Sequence, residues 1–516
     1  MTIPIHKTMD VTPPPGNGES QDVVVAGGGP VGLTLALDLA RRGQKVVVLT
    51  KHSFISGGSK AICFAKRSLE IFDRLGVGAR VREKGVRWSR GHVYRGASRD
   101  PIYSFELDEA SGQKNPAFVN IQQFYVEEYL VEALAAEPLA EVRWGHEVLS
   151  VEATDQSARL EIGVGTDRYT AECRYLIACD GHRSPVRTML GLSFNGRVFQ
   201  DNFLIADVRF KREMPAERHF WFDPPWPGAS ALMHRQPNDV WRLDFQIGRD
   251  IDQEAAVLPQ NVDPFVRGML GEDTAFEYVW LSVYTFQCRR MGSFVHGPVV
   301  FAGDAAHLVS PFGARGCNGG IADADNLGWK LARVLNGKSP PALLGTYNTE
   351  ATHAADVNIQ HSTRATDFMT PKSAAQRAYR DAVLALAALS PEVRPYVNSG
   401  RLSTAVSYPA SPLSTPDRDD WEGAGVPPGA PLFDTPTDDG WLSEKLSGDF
   451  LLITAEERSD LPMTAYPAST AVRHHYALHG NAAALLRPDG HIAARWKHAQ
   501  ADDVRFALRK AALTDG

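Results

Sequence analysis

The spacing of glycines near the N-terminus is the feature that most constrains the fold of this chain. Gly27, Gly29 and Gly32 form the pattern GxGxxG directly after the apolar run of residues 22–26. A helical stretch follows the glycines, and a second apolar run at residues 45–50 follows that stretch. The first glycine permits a tight turn, the second lets the backbone approach a pyrophosphate, and the third lets the helix pack closely on the strand. The pattern predicts a Rossmann-like dinucleotide site with the phosphates at a helix N-terminus.

The end of the second apolar run departs from this pattern. A dinucleotide site usually has Asp or Glu there for the adenosine ribose, whereas this chain has Thr50 followed by Lys51. A cation at this place is compatible with an NADP site, in which it would meet the 2′-phosphate. The motifs described below favour the other interpretation, in which the Thr50 hydroxyl binds the ribose and Lys51 is a surface charge.

Composition excludes several classes of partner. The chain has 516 residues, a formal net charge of −7 and no block of consecutive Lys or Arg, which argues against nucleic acid or an anionic membrane as a partner. The N-terminus resembles no signal peptide, and no apolar run is long enough to span a bilayer. The five cysteines show no CxxC spacing and no metal-ligand pattern. We therefore expect a cytoplasmic protein with reduced thiols and no metal.

Two further motifs follow apolar strands. Asp180 lies in the sequence CDGHRS, and Gly303 and Asp304 open the sequence GDAAH, which leads to Pro311 and then to a helix. The three motifs in this order resemble the aromatic-hydroxylase group of single-component FAD-dependent monooxygenases. The chain is most similar to the branch of the 3-(3-hydroxyphenyl)propionate and phenol hydroxylases, over residues 22–496.

The resemblance implies a role for each residue of the GDAAH region. Asp304 would bind the flavin ribityl chain, and Pro311 would pack beside the isoalloxazine. Gly316, Cys317 and Asn318 would present backbone N–H groups to the flavin N1 and C2 carbonyl, where a helix N-terminus stabilises negative charge.

Other positions match the family less completely. Gln123 would lie near the FAD pyrophosphate, and Asp180 would serve both FAD and the nicotinamide cofactor. Lys60 stands where relatives often have Arg. The ammonium group of Lys is a point charge, so it orients a bound phosphate less strictly than the planar guanidinium of Arg. Ile62 stands where phenol hydroxylases have a catalytic Asp, so the general base is left open.

The resemblance also implies the reaction. NADH or NADPH, a choice that the sequence leaves open, would reduce FAD, and O₂ would then give a flavin C4a-hydroperoxide that hydroxylates a small aromatic, phenolic substrate. Candidate substrate residues lie in the aromatic-rich middle of the chain: His219, Trp221, His234, Arg242 and Tyr284. Of these, His219 and Tyr284, together with Pro311, are the catalytic candidates.

The expected fold class is α/β, with a Rossmann-like FAD-binding domain, an interleaved antiparallel-sheet substrate domain and a C-terminal thioredoxin-like domain. The predicted division is a disordered lead (1–20), the FAD-binding domain (21–195 and 285–370), the substrate domain (196–284), a helical segment and linker (371–425), and the thioredoxin-like domain (426–516). The last contains no cysteine, so we expect it to be structural and its removal to spare flavin reduction. The resemblance implies a homodimer.

Two alternatives stay open at this point. A tailoring hydroxylase, epoxidase or Baeyer-Villiger oxygenase acting on a polycyclic metabolite would have the same fold and a different pocket. A non-catalytic FAD-binding sensor would also keep the cofactor motifs. Consumption of NAD(P)H in the presence of an aromatic compound distinguishes the enzymes from the sensor.

Overall fold

The computed structural model describes residues 4–58, 60–107, 112–210, 214–249, 251–397 and 402–514. Numbered in chain order, the strands of the first part are β1 (Ile5–Thr8), β2 (Glu19–Ala26), β3 (Val46–Thr50), β4 (Phe54–Ser56), β5 (Cys63–Ala65), β6 (Val86–Arg87), β7 (Arg90–Arg95), β8 (Tyr103–Glu106), β9 (Phe118–Asn120), β10 (Ala140–Trp144), β11 (His146–Ala153), β12 (Ala158–Val164) and β13 (Asp167–Ala178). Those that follow are β14 (Asn195–Phe210), β15 (Arg218–Phe222), β16 (Ser230–Arg235), β17 (Val240–Gly248), β18 (Phe276–Arg290), β19 (Val295–His296), β20 (Val299–Phe301) and β21 (His307–Leu308). The C-terminal strands are β22 (Pro436–Thr437), β23 (Gly440–Trp441), β24 (Leu451–Thr454), β25 (Ala465–Pro467), β26 (Ala483–Leu486) and β27 (Ile492–Trp496).

The α-helices are numbered in the same way. They are α1 (Pro30–Arg41), α2 (Lys66–Arg74), α3 (Gly78–Lys84), α4 (Gln123–Ala135), α5 (Pro185–Met189), α6 (Gln253–Ala256), α7 (Pro259–Leu270), α8 (Arg315–Leu335), α9 (Leu343–Met369), α10 (Ala374–Leu389), α11 (Arg394–Val397), α12 (Thr470–Tyr476) and α13 (Ala501–Ala512).

A parallel sheet forms the first layer. Strands β10, β3, β2 and β13 are adjacent and parallel, and β20 pairs with β13 in the same direction. Strands β12 and β11 extend the sheet as antiparallel neighbours. The β-branched core of β2, residues 23–25, is fully buried because both faces of such a sheet are covered. The α/β class and the Rossmann-like sheet predicted from the glycine pattern are confirmed.

Helices α1 and α8 lie against each other on this sheet, and glycines of α8 allow the close approach. A Cβ added to Gly320 would lie 2.6 Å from Cγ2 of Val31, and one added to Gly328 would lie 2.0 Å from a carboxylate oxygen of Asp38. Larger side chains at these places would therefore push the two helices apart. The contact fixes the N-terminus of α8 beside that of α1.

A second sheet of eight strands has the order β21-β18-β14-β17-β16-β15-β7-β8. Most of it comes from the middle of the chain, as predicted, but β7 and β8 come from residues that the predicted division assigns to the FAD-binding domain. Strand β7 pairs in parallel with β15, a long-range contact that no local pattern indicates. The long strands β14 and β18 also run across the predicted boundaries at residues 195 and 285.

The N-terminal lead is ordered where the structure describes it, in contrast to the expectation of disorder for residues 1–20. Strand β1 pairs antiparallel with β4. The N–H of Met9 donates to the Ser53 carbonyl at 2.8 Å, and that of Thr12 donates to the Trp144 carbonyl at 3.0 Å. Pro and polar residues suggested a free tail, but backbone pairing with the parallel-sheet layer supplies the missing hydrogen bonds.

The C-terminal part forms a four-stranded sheet with the order β25-β24-β26-β27. Strands β24 and β25 are parallel, whereas β26 and β27 are antiparallel neighbours, and α12 and α13 follow β25 and β27. Within the part of the chain that the structure describes, no helix joins β24 to β25. The thioredoxin-like assignment therefore stays a prediction. Among the described residues, no helix has the length and apolar character to cross a membrane.

A buried group of charges joins this C-terminal part to the helices of the first layer. We define the C-terminal ion cluster as Lys330, Glu350, Arg487 and Asp489. Arg487 donates to both carboxylate oxygens of Glu350, at 2.5 and 2.9 Å. Lys330 donates to Glu350 at 2.7 Å, and Arg487 also donates to Asp489 at 3.0 Å. All four side chains are at most 1% exposed, so each buried charge has a partner of opposite sign.

Candidate active site

The glycine turn after β2 forms a cradle that side chains would fill. A Cβ on Gly27, whose φ is +119°, would lie 2.2 Å from the carbonyl oxygen of Cys179. A Cβ on Gly32 would lie 2.1 Å from the carbonyl oxygen of Gly27. By contrast, nothing lies within 4 Å of the place where a Cβ on Gly29 would be. Packing thus requires the first and third glycines, and the second faces open space that a pyrophosphate can enter.

Three neighbouring strands bring their ends to the same edge. Because β2, β13 and β20 are parallel, Gly27, Asp180 and the Gly303–Asp304 turn meet there. The Asp304 side chain is exposed, yet it lies in a recess whose walls raise its pKa by desolvation. Asp180 accepts the Val186 N–H at 3.0 Å through Oδ2, and its buried Oδ1 has no partner among the described residues. Both carboxylates have unused acceptor capacity toward a ligand's hydroxyl groups.

Residues predicted to bind the adenosine and pyrophosphate lie around the same recess. Thr50 ends β3, and its Cβ lies 2.9 Å from the place that a Cβ on Gly28 would take. Gln123 accepts the N–H of Ala61 at 3.0 Å, and so fixes the segment that contains Lys60. Burial raises the pKa of Asp304 overall, and the charge of Lys60 is one of the smaller effects that act in the opposite direction. The structure therefore brings these predicted residues together, and their roles stay predictions.

The segment between Pro311 and α8 turns sharply. The N–H of Ala314 donates to the Pro311 carbonyl at 2.9 Å, and Ala314 has a φ of +54°. Pro311 is exposed. No side chain caps α8, so the N–H groups of its first turn, which includes Gly316 and Cys317, are available to a ligand.

Asn318 connects this helix to β5. Its Oδ1 accepts the N–H of Ala65 at 2.8 Å and the hydroxyl of Ser68 at 2.7 Å, and its Nδ2 donates to the Cys63 carbonyl at 2.9 Å. The side chain is thus occupied by structural bonds, and only the backbone of Asn318 is left for a cofactor. The backbone role that the resemblance implies stays a prediction.

His307 has a structural setting. It is buried, and its Nε2 lies 2.6 Å from Oδ2 of Asp323, which also accepts the N–H of Gly303 at 3.0 Å. Desolvation lowers the pKa of His307, but the Asp323 carboxylate outweighs it and raises the pKa overall. The pair holds the turn that presents Asp304.

The second sheet has two faces, and the one that faces the recess contains three of the predicted substrate residues. We define the inner face by two rows of residues on the same side of the sheet: Arg218, His234 and Arg242, which are opposite one another on β15, β16 and β17, and, four residues away along the strands, Phe203 and Tyr284 on β14 and β18. Desolvation, and then the charge of Asp304, raise the pKa of Tyr284. Phe312, the residue after Pro311, packs against Phe203 of this face, so the inner face and the cofactor recess border the same cleft.

The inner face adds an apolar wall beside Pro311. Phe312 packs with its ring centroid 5.5 Å from that of Phe203 and 5.4 Å from that of Phe286, in edge-to-face geometry. These rings are almost fully buried. A cleft with apolar walls and a few directed polar groups suits an aromatic ligand.

Arg242 is not free to bind a ligand. Its Nε and Nη2 donate to the two oxygens of Asp207, both at 2.8 Å. The pair is almost fully buried, and the Arg242 guanidinium lies 5.3 Å from the ring centroid of Trp280. Arg242 therefore lies on the inner face with its charge already neutralised, and its role in substrate binding stays a prediction.

His219 and Trp221 lie on the opposite face, which corrects the predicted grouping. They alternate with Arg218 and Phe220 along β15, so their side chains point away from the recess. Trp221 stacks on Tyr94 with centroids 4.9 Å apart, and Nδ1 of His219 lies 3.2 Å from the Tyr94 hydroxyl. An alternating strand exposes neighbours to different environments, so the two residues do not contact a ligand in the recess.

Sequence reasoning did not single out Arg218, Cys63 or Trp88, which lie close together beside the inner face. Cys63 donates to Oδ1 of Asn120 at 3.2 Å, and Nε1 of Trp88 donates to the same oxygen at 3.2 Å. The Arg218 guanidinium lies 5.4 Å from the Trp88 ring centroid. One signal was available, because Arg218 and Phe220 alternate in the run RHFWF with His219 and Trp221, and the wrong alternate set was chosen.

Comparisons with known proteins agree with this geometry. The chain matches the family described as FAD binding domain over residues 20–362. It is 30% identical over 402 residues to a 3-(3-hydroxy-phenyl)propionate/3-hydroxycinnamic acid hydroxylase of Mycobacterium sp. (strain KMS), covering 76% of this chain and 69% of that protein. It is 31% identical over 374 residues to a probable NADH-specific resorcinol 4-hydroxylase of Rhodococcus jostii (strain RHA1), covering 72% and 69%.

A solved structure shares the whole architecture. The crystal structure of the flavin-dependent monooxygenase PieE in complex with FAD and substrate superimposes with a TM-score of 0.82 at 21% identity, covering 96% of this chain and 99% of that one. At this level of identity the likeness concerns the fold. Because it covers 96% of this chain, it extends into the C-terminal part.

Proposed function

The chain belongs to the FAD binding domain family and is an NAD(P)H-dependent flavoprotein monooxygenase, and we propose that it hydroxylates a small phenolic substrate with O₂. The observation that carries the proposal is the common cleft, in which the glycine cradle and Asp304 lie opposite the aromatic inner face. A flavin and an aromatic ring can therefore lie in contact with each other, away from bulk water. The homodimer and the cytoplasmic location stay predictions.

The residues at the recess fit FAD. The open space at Gly29 and the uncapped N-terminus of α1 would take the pyrophosphate, Asp304 would bind ribityl hydroxyls, and the first turn of α8 would face the pyrimidine edge. When bound, FAD supplies the redox chemistry: it accepts a hydride from NADH or NADPH and activates O₂. The protein supplies binding, orientation and a dry cleft.

Tyr284 is the residue of this chain that we assign to the substrate's ring hydroxyl. Because desolvation and Asp304 raise the pKa of Tyr284, its phenol stays protonated at neutral pH and can donate or accept a hydrogen bond. It is therefore a positioning group for the substrate hydroxyl and a poor base. His219 cannot serve as the base, since it points away from the recess.

The apolar wall has its own part in the reaction. Phe203, Phe286 and Phe312 exclude water on the side of the cleft next to Pro311. A dry site strengthens the few hydrogen bonds that orient the ring and limits unproductive loss of the activated oxygen.

The test is anaerobic bleaching of the flavin band of the holoenzyme by NADH and by NADPH, with and without a panel of phenols and phenolic acids, followed by product analysis in air. We expect at least one small phenol to speed bleaching about tenfold or more and to gain one oxygen atom. Bleaching that responds only to polycyclic compounds would favour a tailoring oxygenase, and no response to any aromatic would favour a sensor.

Asp304→Ala tests the cofactor site separately. Because the carboxylate would bind the ribityl chain, we expect the variant to purify folded with less than about a tenth of the normal FAD content. Asp155→Ala, at an exposed turn, is the matched control and should purify yellow. A yellow Asp304→Ala protein with normal stoichiometry would contradict this assignment.

A further inference from the structure

Helix α10 has an apolar stripe along its exposed side. Because an α-helix turns by about 100° per residue, seven exposed residues lie within about 60° of the direction of Ala382. We define the α10 stripe by these residues: Ala375, Ala378, Tyr379, Ala382, Ala385, Leu386 and Leu389. Leu389 is 84% exposed, Tyr379 58% and Leu386 53%. The stripe contains no charged residue, as is usual for the centre of a protein interface.

The opposite side of α10 is already used. Val383, Leu384 and Ala387 are buried there. They belong to the apolar cluster that contains Phe203 and Phe312 and lines the cleft. A helix that is apolar on two opposite sides normally packs against protein on both. In the part of the chain that the structure describes, the second side of α10 is left open, and exposed apolar patches of this kind mark interaction sites.

This chain has no spare segment of the length that the stripe requires. The stretches that the structure does not describe are at most four residues long, which is about 14 Å when fully extended. Helix α10 has 16 residues and is therefore about 24 Å long. The cover must come from another molecule.

The charges of α10 do not favour an anionic membrane as that cover. Membrane-surface helices have Lys or Arg in excess beside the apolar side. The charged residues of α10 are Arg377, Arg380 and Asp381, and Arg380 donates to Asp223 at 2.8 Å. The helix therefore has no cluster of free positive charge, and a protein surface is the better match.

The α10 stripe is complementary to itself. When two copies of α10 are placed antiparallel about a two-fold axis at Ala382, residues equally far from Ala382 on its two sides come to the same level. Leu389 then meets the level of Ala375, Leu386 that of Ala378, and Tyr379 that of Ala385 of the other copy. Each level combines one large side chain with one alanine, which is the condition for interdigitation. A two-fold interface requires such self-complementarity.

We propose that two copies of this chain pair antiparallel through the α10 stripe, about a two-fold axis at Ala382. The stripe would bury roughly 1,000 Å² in total, at the small end of specific interfaces, so we expect a dissociation constant in the micromolar range. The antiparallel arrangement also sets the two helix dipoles in the favourable direction. Because the other side of α10 packs in the cluster that lines the cleft, the partner copy would brace that wall. The proposal does not depend on the substrate.

Cysteine cross-linking of the holoenzyme tests the position of the axis. A residue on a two-fold axis lies next to its own copy, so Ala382→Cys should form a disulfide-linked dimer under mild oxidation. Ala388→Cys is the matched control, because Ala388 is exposed on the same helix but lies about 120° away from the stripe. Non-reducing electrophoresis measures both variants beside the wild type with its five native cysteines. Equal cross-linking of the two variants, or none in Ala382→Cys, would overturn the proposal.

Sedimentation equilibrium of the holoenzyme tests the interface itself. We expect the wild type to be a reversible dimer, and Leu386→Glu to dissociate at least tenfold more readily because it places a charge in the seam. Leu258→Glu, at a comparably exposed leucine before α7, is the control and should dimerise normally. Both variants should keep the FAD content and circular dichroism of the wild type, since both side chains are exposed.

Three results would contradict this interface. A wild-type holoenzyme that stays monomeric at tens of micromolar would exclude the dimer, as the expected dissociation constant is lower. A dimer that Leu386→Glu does not weaken would place the interface elsewhere. A monomer that sediments with phosphatidylcholine vesicles, and loses this in Leu386→Glu, would assign the stripe to a lipid surface.

Discussion

Two buried groups of charges in this molecule are arranged in opposite ways. In the C-terminal ion cluster, Glu350 is bonded by both Arg487 and Lys330, and every charge has a partner. On the inner face, two buried nitrogens of Arg218 have no hydrogen-bond partner among the residues that the structure describes. Fully paired charges hold segments together, whereas an unpaired charge is an unmet requirement that a ligand can satisfy. Burial alone therefore does not distinguish a structural arginine from a binding one, and the state of its partners does.

Removing the C-terminal part should have the largest effect of the changes that test this comparison. A chain that ends before Val426 would lose Arg487 and Asp489, and of the ion cluster only Lys330 would remain to pair with Glu350. It would also uncover apolar residues of the first layer. We expect loss of soluble, FAD-loaded protein, measured by yield, flavin-to-protein ratio and circular dichroism. A soluble yellow truncation with a normal unfolding midpoint would show that the cluster holds nothing essential.

Arg487→Met breaks the cluster at one side chain. It leaves Glu350 and Asp489 with too little positive charge, so we expect the free energy of unfolding to fall by about 3–5 kcal/mol. Denaturant titration followed by tryptophan fluorescence and by flavin release measures this. Arg505→Met, at an exposed residue of α13, is the matched control and should change it by less than about 0.5 kcal/mol. A similar small change in Arg487→Met would refute the structural role.

Arg218→Met should not lower the free energy of unfolding in the same denaturant titration. Because it removes a buried charge for which the described part of the chain offers no hydrogen-bond partner, we expect the free energy of unfolding without substrate to be unchanged or to rise by about 1 kcal/mol. A loss comparable to that of Arg487→Met would show that Arg218 is structural, and would weaken the contrast between the two regions.

The smallest expected effect is the contribution of His234 to the pH dependence of the free energy of unfolding. Its pKa is lowered to about 4, chiefly by burial, so the unfolded chain binds the proton more tightly than the folded one. Stability is therefore complete above about pH 6.5 and is lost as the pH falls toward 4, with a loss of less than about 1 kcal/mol between pH 8 and pH 6. Unfolding curves of the wild type and of His234→Asn at several pH values test this, with His498→Asn as the exposed control. An identical pH dependence in both variants would count against it.

The cofactor recess could be predicted from the sequence because its residues are fixed by local patterns. Gly27, Gly29 and Gly32 form the turn from within one short segment, and Asp180 and Asp304 each follow their own apolar strand. Parallel strands bring such ends together whatever the rest of the chain does. The prediction of the fold class succeeded for the same reason.

The substrate face could not be predicted, because it depends on pairing between distant segments. Whether His219 or Arg218 faces the recess is decided by the pairing of β15 with β7 and β16, and a shift by one residue exchanges the faces. Nothing in the sequence shows that Asp207 neutralises Arg242 and leaves Arg218 unpaired. The expectation that removing the C-terminal segment spares flavin reduction rested on its lack of cysteine, and no local pattern shows that Arg487 of this segment pairs with the distant Glu350.

The parallel pairing of β7 with β15 has a consequence for the exchange of parts between relatives. A chimera that transplants only residues 196–284 would receive a foreign β15 against the resident β7, and a mismatch there would leave a sheet edge open to association with other chains. A chimera that also carries residues 90–106 keeps the native register. We expect the second kind of chimera to be monodisperse and the first to aggregate. Transfer of substrate preference between relatives would then require both segments of the chain, residues 90–106 and 196–284.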